Sequence, residues 1–446
     1  MQKRQMHLGV FLMGFGHHLA SWRQADTPAD SPEDIDFYID IAKTAEQGKF
    51  DLLFVSDGLS FNERSHPSEL VRFEPLTLLG ALSIATKSIG LAATATTTYN
   101  EPFHLARKFL SLDHLNKGRT GWNVVTSYYQ GEANNFNQND HMKHDERYVR
   151  ADEFVEVVKK LWNSWETDAL VRDKATGTYF DQKKLHAQHH EGRYFSVAGP
   201  LNTSRSKQGE PVIIQAGSSE QGRAFAAKHA EVIFTAQQTI EEALKFANDI
   251  QSKAVEHGRD PSKVKILPGV IPIVALTEEE AWEKYNELQD LIVPEVGLEL
   301  LSEYMGGFDF SQFDLDGPLP TELPEYNGNQ SRKQLIIDMA KREQLTVRQL
   351  YQKIAGGRGH RLIIGNPEQV ADDLQLWFES GACDGFNLLF ARYPGGLDDF
   401  VELVVPILQE RGIFRKQYSG ETLRDHLGLD VPSFRTEKQV SNQTFV

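Results

Sequence analysis

The sequence predicts an α/β chain folded as a single (β/α)8 TIM barrel, with two large insertions, one after the fourth strand and one after the seventh, and a C-terminal tail. Three observations carry this expectation. Short apolar runs of the kind a parallel sheet buries on both faces recur along the chain, a helical pattern follows each, and polar side chains gather just after the runs end. All 446 residues then form one unit, with insertions over residues 166–210 and 293–359 and a tail over 414–446.

The first strand is HLGVFLM (7–13), and the loop after it carries Gly14, Gly16, His17, His18, Trp22 and Arg23. A helix is then announced by Ser31 as N-cap, Pro32 at the first helical position, Asp34 in the first turn and Gly48 just past the end. DLLFVS (51–56) is a continuous apolar strand that ends on Asp57 and Gly58. A helix over 75–86 leads to SIGLAATATTTY (88–99), a strand with Thr94, Thr96 and Thr98 on one face. After a helix over 102–116 comes the fourth strand, GWNVVTS (121–127), which holds Asn123; a polar loop then leads to HDERY (144–148). The apolar positions 148, 151, 155, 158 and 162 step by three and four, so this helix lays one stripe on the barrel and carries His144 and Tyr148 one turn apart.

Residues 166–210 are polar, rich in Lys, His and Gly, and have no long periodic stretch, which marks an insertion. PVIIQAG (211–217) is the fifth strand, and SSEQ (218–221) matches a capping box with Ser218 as N-cap, setting a helix amino terminus directly above the strand end. Strands six and seven fall near 231–235 and 263–276, with helices over 239–257 and after Thr277, whose capping partner is Glu280. The barrel pattern lapses over 293–359, a second insertion placed to act as a lid. It resumes with an Asn366-Pro367 cap, a last strand DGFNLLF (384–390) and a closing helix over 397–411. The polar tail from Phe414 is expected to wrap the surface or a neighbouring subunit.

Hydrophobic residues at 40% and charged residues at 25% suit a soluble protein with a large core. A formal charge of -16 with no Lys/Arg-rich stripe argues against nucleic acid as a partner. No window holds the ~20 uncharged apolar residues that span a bilayer, and the N-terminus lacks a small-residue cleavage site. The lone Cys383 can form neither an internal disulfide nor a cysteine metal cage, which fits a reducing compartment; cytoplasm is the expected location.

His17, Asp57, Thr94, Thr96, Asn123, His144, Tyr148, Ser218 and Ser219 all lie at or just after strand carboxyl ends, where barrel enzymes act. Each has a plainer reading: Asp57 suits a turn before Gly58, the threonines suit any strand, and Ser218 suits a helix cap. Exposed N–H groups at a helix amino terminus also bind phosphate, so capping and anion binding are compatible. A metal-dependent hydrolase calls for His-x-His at the first strand, whereas His17 and His18 are adjacent and HMKH (141–144) lies in a loop. GGRG (356–359) fails the spacing of a dinucleotide loop, and no G-x-S-x-G elbow occurs. What remains is a hydroxyl-lined mouth with a helix-end anion site, suited to a phosphorylated cofactor.

The segments KFDLLFVSDG, RFEPLTLLGALSIATKSIGLAATATTTY, EPFHLARKFLSLDHLNKGRTGWNVVTS, HDERYVRADEF, GEPVIIQAGSSEQGRAFAAKHAEVIF and DGFNLLF resemble the bacterial luciferase-like flavin monooxygenases, over about residues 8–411 and both insertions. The likeness is to the branch holding nitrilotriacetate, dibenzothiophene-sulfone and long-chain alkane monooxygenases, and most to bacillar members linked to the breakdown of S-modified N-acetylcysteines. The resemblance implies FMN, arriving as FMNH2 from a separate NAD(P)H-dependent flavin reductase, and O2, which together form a flavin peroxide that oxygenates a small organosulfur or aminocarboxylate substrate. It implies Asp57 and Thr94 beside the isoalloxazine, Thr96 and Asn123 on the same cofactor-binding face, His144 and Tyr148 on the ribityl-phosphate side, and Ser218 with Ser219 at the phosphate. The absence of a nicotinamide fingerprint agrees with that division of labour. The alkane enzyme carries a cysteine in the loop after its first strand; here Gly14 to His18 occupy it, so His17 is the expected polar contact near the flavin edge. Arg23 and Arg72 are the expected partners of a substrate carboxylate. A homodimer or homotetramer is the expected assembly. Two other readings stay open: an F420-dependent oxidoreductase of the same fold, and a metal-dependent barrel hydrolase.

Overall fold

Nine parallel strands build the main sheet: β1 (His7–Leu12), β2 (Leu52–Val55), β3 (Gly90–Thr96), β4 (Thr120–Val125), β5 (Val212–Gln215), β6 (Val232–Thr235), β7 (Lys265–Val274), β8 (Arg361–Gly365) and β9 (Gly385–Leu388). The computed structural model describes residues 4–61, 65, 67–320, 323 and 330–434. Eight strands close the barrel, with β9 returning to β1, and β8 stands outside that ring. Burial of both strand faces explains the unbroken apolar runs, since one face meets helices and the other the packed barrel interior. On β4, Trp122 packs its ring against Phe109, Phe154 and Trp162, so alternation turns Asn123 inward, in register with Thr94 of β3.

The ten-residue β7 serves two neighbours in succession: Lys265–Pro268 pair with β6, and Val270–Val274 pair with β8. Eight barrel strands were legible in the sequence. The short apolar stretch after GGRG is a ninth that uses the spare carboxyl half of β7.

The ring of helices includes α1 (Ile35–Gln47), α2 (Pro75–Ala85), α3 (Pro102–Leu115), α4 (His144–Trp162), α5 (Glu220–His229), α6 (Ile240–Glu256) and α7 (Glu278–Asp290). Capping boxes form at Thr277 with Glu280 and at Asn366 with Gln369, as their spacing predicts. The start of α1 differs from expectation. Ser31 opens a separate turn of 3-10 helix, and Asp34 is the N-cap, its carboxylate accepting from the Asp36 N–H at 2.9 Å. Aspartate caps as well as serine and adds a negative charge at the positive end of the helix.

Residues 166–210 are mostly loops around a short antiparallel hairpin, His190–Glu191 with Ser196–Val197, which is pinned to α4 where the Glu153 carboxylate accepts from His190 Nε2 at 3.1 Å and from the backbone N–H groups of Tyr194 and Phe195. Residues 293–359 carry α8 (Pro294–Tyr304), α9 (Gln330–Glu343) and α10 (Val347–Gly357). Leu300, Leu301, Met305, Ile336, Leu350 and Ile354 of this insertion share a separate small core with Leu19 of the loop after β1. The insertion is thereby seated over that loop.

The described part of the tail, residues 414–434, sets a short helix beneath the barrel; residues 435–446 of the expected tail lie outside the described residues. Leu423 and Leu427, on a short helix, join Leu52, Ala92, Val212, Val232 and Leu267 in one apolar cluster that fills the amino-terminal end of the barrel. Two buried ion pairs hold it. Arg424 grips the Glu231 carboxylate with both arms, at 2.6 and 3.0 Å, and donates to the Glu210 carbonyl; Arg415 pairs with Asp51, which also accepts from the Leu8 N–H and bonds His7. Removing one partner of a buried pair leaves the other charge uncompensated. Arg424→Met is therefore expected to destabilise the protein by roughly 3 kcal/mol, read as a lower urea midpoint at pH 7 with an unchanged slope.

Candidate active site

The mouth is organised by a carboxylate that the sequence reading did not single out. After β4 the backbone turns through Ser127 at φ 57°, and a short helix, Gln130–Asn135, brings Glu132 back beneath the turn. Its carboxylate accepts from the N–H groups of Tyr128 and Tyr129 and from the Ser127 hydroxyl, each at 3.1 Å, and from the Leu59 N–H at 3.2 Å. One buried side chain thus ties the loop after β2 to the loop after β4. Several charge-assisted bonds are what a buried carboxylate needs to stay there. The available signal was an acid at the third helical position after Tyr129. Ser127 passes the connection to β3 through the Thr96 hydroxyl at 3.0 Å, and one layer down Asn123 donates to Thr94 at 2.9 Å. The other amide atom of Asn123, Oδ1, is buried without a partner.

Tyr148 projects from α4 to the amino end of α5, with its ring 5.2 Å from that of His144 and 5.8 Å from that of Phe225. The fit there is close: a Cβ on Gly217 or Gly222 would lie 2.9 or 3.0 Å from the Tyr148 hydroxyl. Burial pushes the phenol pKa up, and the Ser219 hydroxyl and the Arg147 guanidinium oppose the shift. The N-cap of α5 is Ser219, not Ser218: its hydroxyl accepts from the Gly222 N–H at 3.1 Å. The third helical position is then Gly222, which has no side chain to reach back, so no capping box forms. Gln221 instead donates to Asp145 at 3.1 Å. Ser218 is released from capping; its hydroxyl lies 3.4 Å from that of Thr235 at the end of β6, and its carbonyl accepts from Arg223.

On the β2 side, Asp57 lies 3.8 Å from Arg72, which spends one arm on the Gly58 carbonyl at 2.9 Å. Burial lifts the Asp57 carboxyl to a pKa of about 6, against the pull of Arg72, because at that separation no hydrogen bond joins the pair. Asp57, Glu69, Arg72 and Asn135 line a cavity of about 560 Å³. Arg23 is not part of this group. It donates to the Leu291 carbonyl past the end of α7 and borders a different cavity of about 680 Å³, with Lys284 and Arg392.

His17 is buried against the Phe11 ring, and its Nε2–H donates to the Phe11 carbonyl at 2.9 Å. Burial and the nearby Arg358 drive its pKa down to about 3, so it is neutral at physiological pH. Arg358 itself was passed over when GGRG failed as a dinucleotide loop. It donates to the His17 carbonyl at 3.2 Å and pairs with Glu69 at 2.6 Å. Its neighbour His360 stacks on Phe234, ring centres 5.2 Å apart. A cation set between glycines ahead of an apolar strand was the signal. Among the described residues, no three His, Cys, Asp or Glu side chains stand together as metal ligands, and no helix is long and apolar enough to cross a membrane.

A closed barrel whose mouth combines hydroxyls, a perturbed carboxyl and a helix amino terminus defines an α/β-barrel enzyme. The chain belongs to the luciferase-like monooxygenase family, which matches residues 13–384. It is 56% identical over 438 residues to N-acetyl-S-(2-succino)cysteine monooxygenase of Bacillus subtilis (strain 168), covering 98% of this chain and 99% of that one. It is 48% identical to nitrilotriacetate monooxygenase component A of Aminobacter aminovorans, covering 96% and 97%. The crystal structure of a riboflavin lyase with modified FMN and riboflavin superposes with a TM-score of 0.85 at 35% identity, covering 97% of each chain. The protein is a monooxygenase.

A carboxyl whose folded pKa lies above its unfolded value adds stability below the unfolded pKa, near 4, and loses it as pH rises through the folded one, near 6. Asp57→Asn is accordingly expected to stabilise the protein above pH 7 by about 1–3 kcal/mol and to flatten the pH 4–7 part of its stability profile, followed by denaturant unfolding. Its turnover is expected to fall.

Proposed function

We propose that this chain is the oxygenase of a two-component cytoplasmic system, in which a separate NAD(P)H-dependent reductase supplies FMNH2 and the chain uses it with O2 to oxygenate a small organosulfur or aminocarboxylate compound. The observation that carries the reading is the cradle at the amino end of α5. Gly217 and Gly222 let the Tyr148 hydroxyl pack against the start of the helix, whose first backbone N–H groups have no partner within the helix itself. The donor set fits a phosphate. Tyr148, His144, Ser218 and Ser219 would hold the ribityl-phosphate end, and Asp57, Thr94, Thr96 and Asn123 the isoalloxazine, with the unpartnered Asn123 Oδ1 as an acceptor.

Bound reduced flavin supplies the oxygen-activating chemistry; the residues bind it, orient it and exclude water. Exclusion falls to the second insertion. Its α8 is tied to the rim by a bond from the Tyr129 hydroxyl to Glu303 at 2.6 Å, and Arg358 ties its far end to the loop after β1. His17, neutral and fixed by Phe11, serves as a polar contact at the flavin edge and transfers no proton near neutral pH. Arg72 offers its cation to a substrate carboxylate on the β2 side. A homodimer or homotetramer is the assembly we expect.

The direct test supplies the chain with FMN, a flavin reductase, NADH and oxygen together with a panel of thioethers, sulfones, aminopolycarboxylates and alkanes. Substrate-dependent product should require every component. Product formed with reduced F420 and not with FMNH2 would overturn the proposal. The double variant Ser218→Ala/Tyr148→Phe should weaken FMNH2 binding about tenfold or more, since each bond to a charged group contributes ~1.5–3 kcal/mol; equilibrium titration under anaerobic conditions measures it.

A further inference from the structure

Four carboxyl groups meet around the cavity of about 560 Å³ on the β2 side: Asp57, Glu69 and Glu74 line it, and Glu132 stands behind Leu59, another lining residue. Three of the four are committed. Glu69 takes Arg358 at 2.6 Å, Glu74 caps α2 by accepting from the Leu76 and Thr77 N–H groups at 3.1 and 2.7 Å, and Glu132 holds the two rim loops. Asp57 is not. Among the described residues its nearest cation is Arg72 at 3.8 Å, too far for a hydrogen bond, and its one favourable close contact is the Gly58 backbone.

Arg72 is kept at that distance by its own bond. Its Nη2 donates to the Gly58 carbonyl at 2.9 Å, an approach open because residue 58 has no side chain: a Cβ there would lie 3.0 Å from that nitrogen. Arg72 therefore eases the charge on Asp57 without cancelling it. Burial and the negative charges of Glu74 and Glu132 act the other way, and the carboxyl titrates at about 6. Only 17% of the Asp57 side chain is exposed, and it lines the cavity, so whatever fills that space removes much of its remaining water.

The flavin ring system belongs here on the reading given above. A neutral ring is a poor partner for a bare carboxylate and a good one for a carboxylic acid, whose O–H can reach the accepting oxygens and nitrogens of the ring edge. We propose that Asp57 exchanges a proton with solvent as the flavin binds: largely ionised at pH 7 without ligand, it takes up one proton when the ring closes over it and then donates an O–H to the ring edge. This rests on the FMN reading and adds to it the protonation state in which the site holds its cofactor. Above pH 6, where the free carboxyl is ionised, binding brings in a proton, so affinity falls as pH rises, by up to about tenfold per unit. Below about pH 5 the acid is already formed and the linkage fades.

Calorimetry with oxidised FMN, in phosphate-free buffers of different ionisation enthalpy, counts the protons taken up per flavin. The FMN phosphate titrates near pH 6 itself and contributes alike in every variant, so the quantity read is the difference between the unaltered protein and Asp57→Asn. Uptake is expected to be larger in the unaltered protein by about 0.5–0.9 proton at pH 7 and nearly equal in the two at about pH 5. Equal counts at pH 7 would overturn the proposal. Arg72→Gln gives a second reading: without that cation the Asp57 carboxyl titrates higher, and the pH of greatest uptake should move up by about one unit. An unmoved maximum refutes the role of Asp57 even if Asp57→Asn does not fold. FMN that binds at no pH would remove the FMN reading and the proton together; binding with equal counts would remove only the proton.

Discussion

The Glu132 carboxylate is the constraint on which the mouth depends. Barrel strands fix where their ends lie but not how the loops beyond them run, and loops carry backbone groups that need partners. Glu132 satisfies three backbone N–H groups and a hydroxyl from two loops at once. Through Ser127 the connection reaches Thr96 on β3, and through Tyr129 it reaches Glu303 in the second insertion. Its charge is held by backbone dipoles and the Ser127 hydroxyl, so two loops share one buried acceptor.

The two ends of the barrel are treated differently. The amino-terminal end is sealed by apolar side chains and buried ion pairs, which suits a surface with no chemistry to perform. Buried polar atoms without partners occur at both ends, Arg415 Nε and both His426 ring nitrogens beneath the barrel among them, but only at the carboxyl end do they adjoin the candidate site. Asn123, His17, Arg358 and His360 each keep an unpartnered atom, and Asp57 holds a carboxyl whose charge its surroundings disfavour. Unsatisfied groups of this kind lower stability and are retained where a ligand completes them.

Much of the barrel was legible because its signals are local. Unbroken apolar runs, proline at first helical positions and capping pairs such as Thr277 with Glu280 depend on neighbours within a few residues. Errors arose where two adjacent residues could do the same work. Ser218 and Ser219 are both competent caps, and in the fold it is the Ser219 hydroxyl that reaches the Gly222 N–H. Ser31 and Asp34 posed the same ambiguity. Long-range roles left little trace. Glu132 acts on Leu59, 73 positions away, Arg358 meets His17 across 341, and Arg23 shares a loop with His17 yet points into another cavity.

The apolar plug under the barrel bears on the order in which the molecule is made. Leu423 and Leu427 are synthesised after every strand they touch, from Leu52 to Leu267. A ribosome releasing this chain from the amino end therefore exposes a ring of strands with an unfilled floor until the final segment emerges. During that interval the apolar floor is open to water and to other nascent chains, the circumstance in which chaperones matter most.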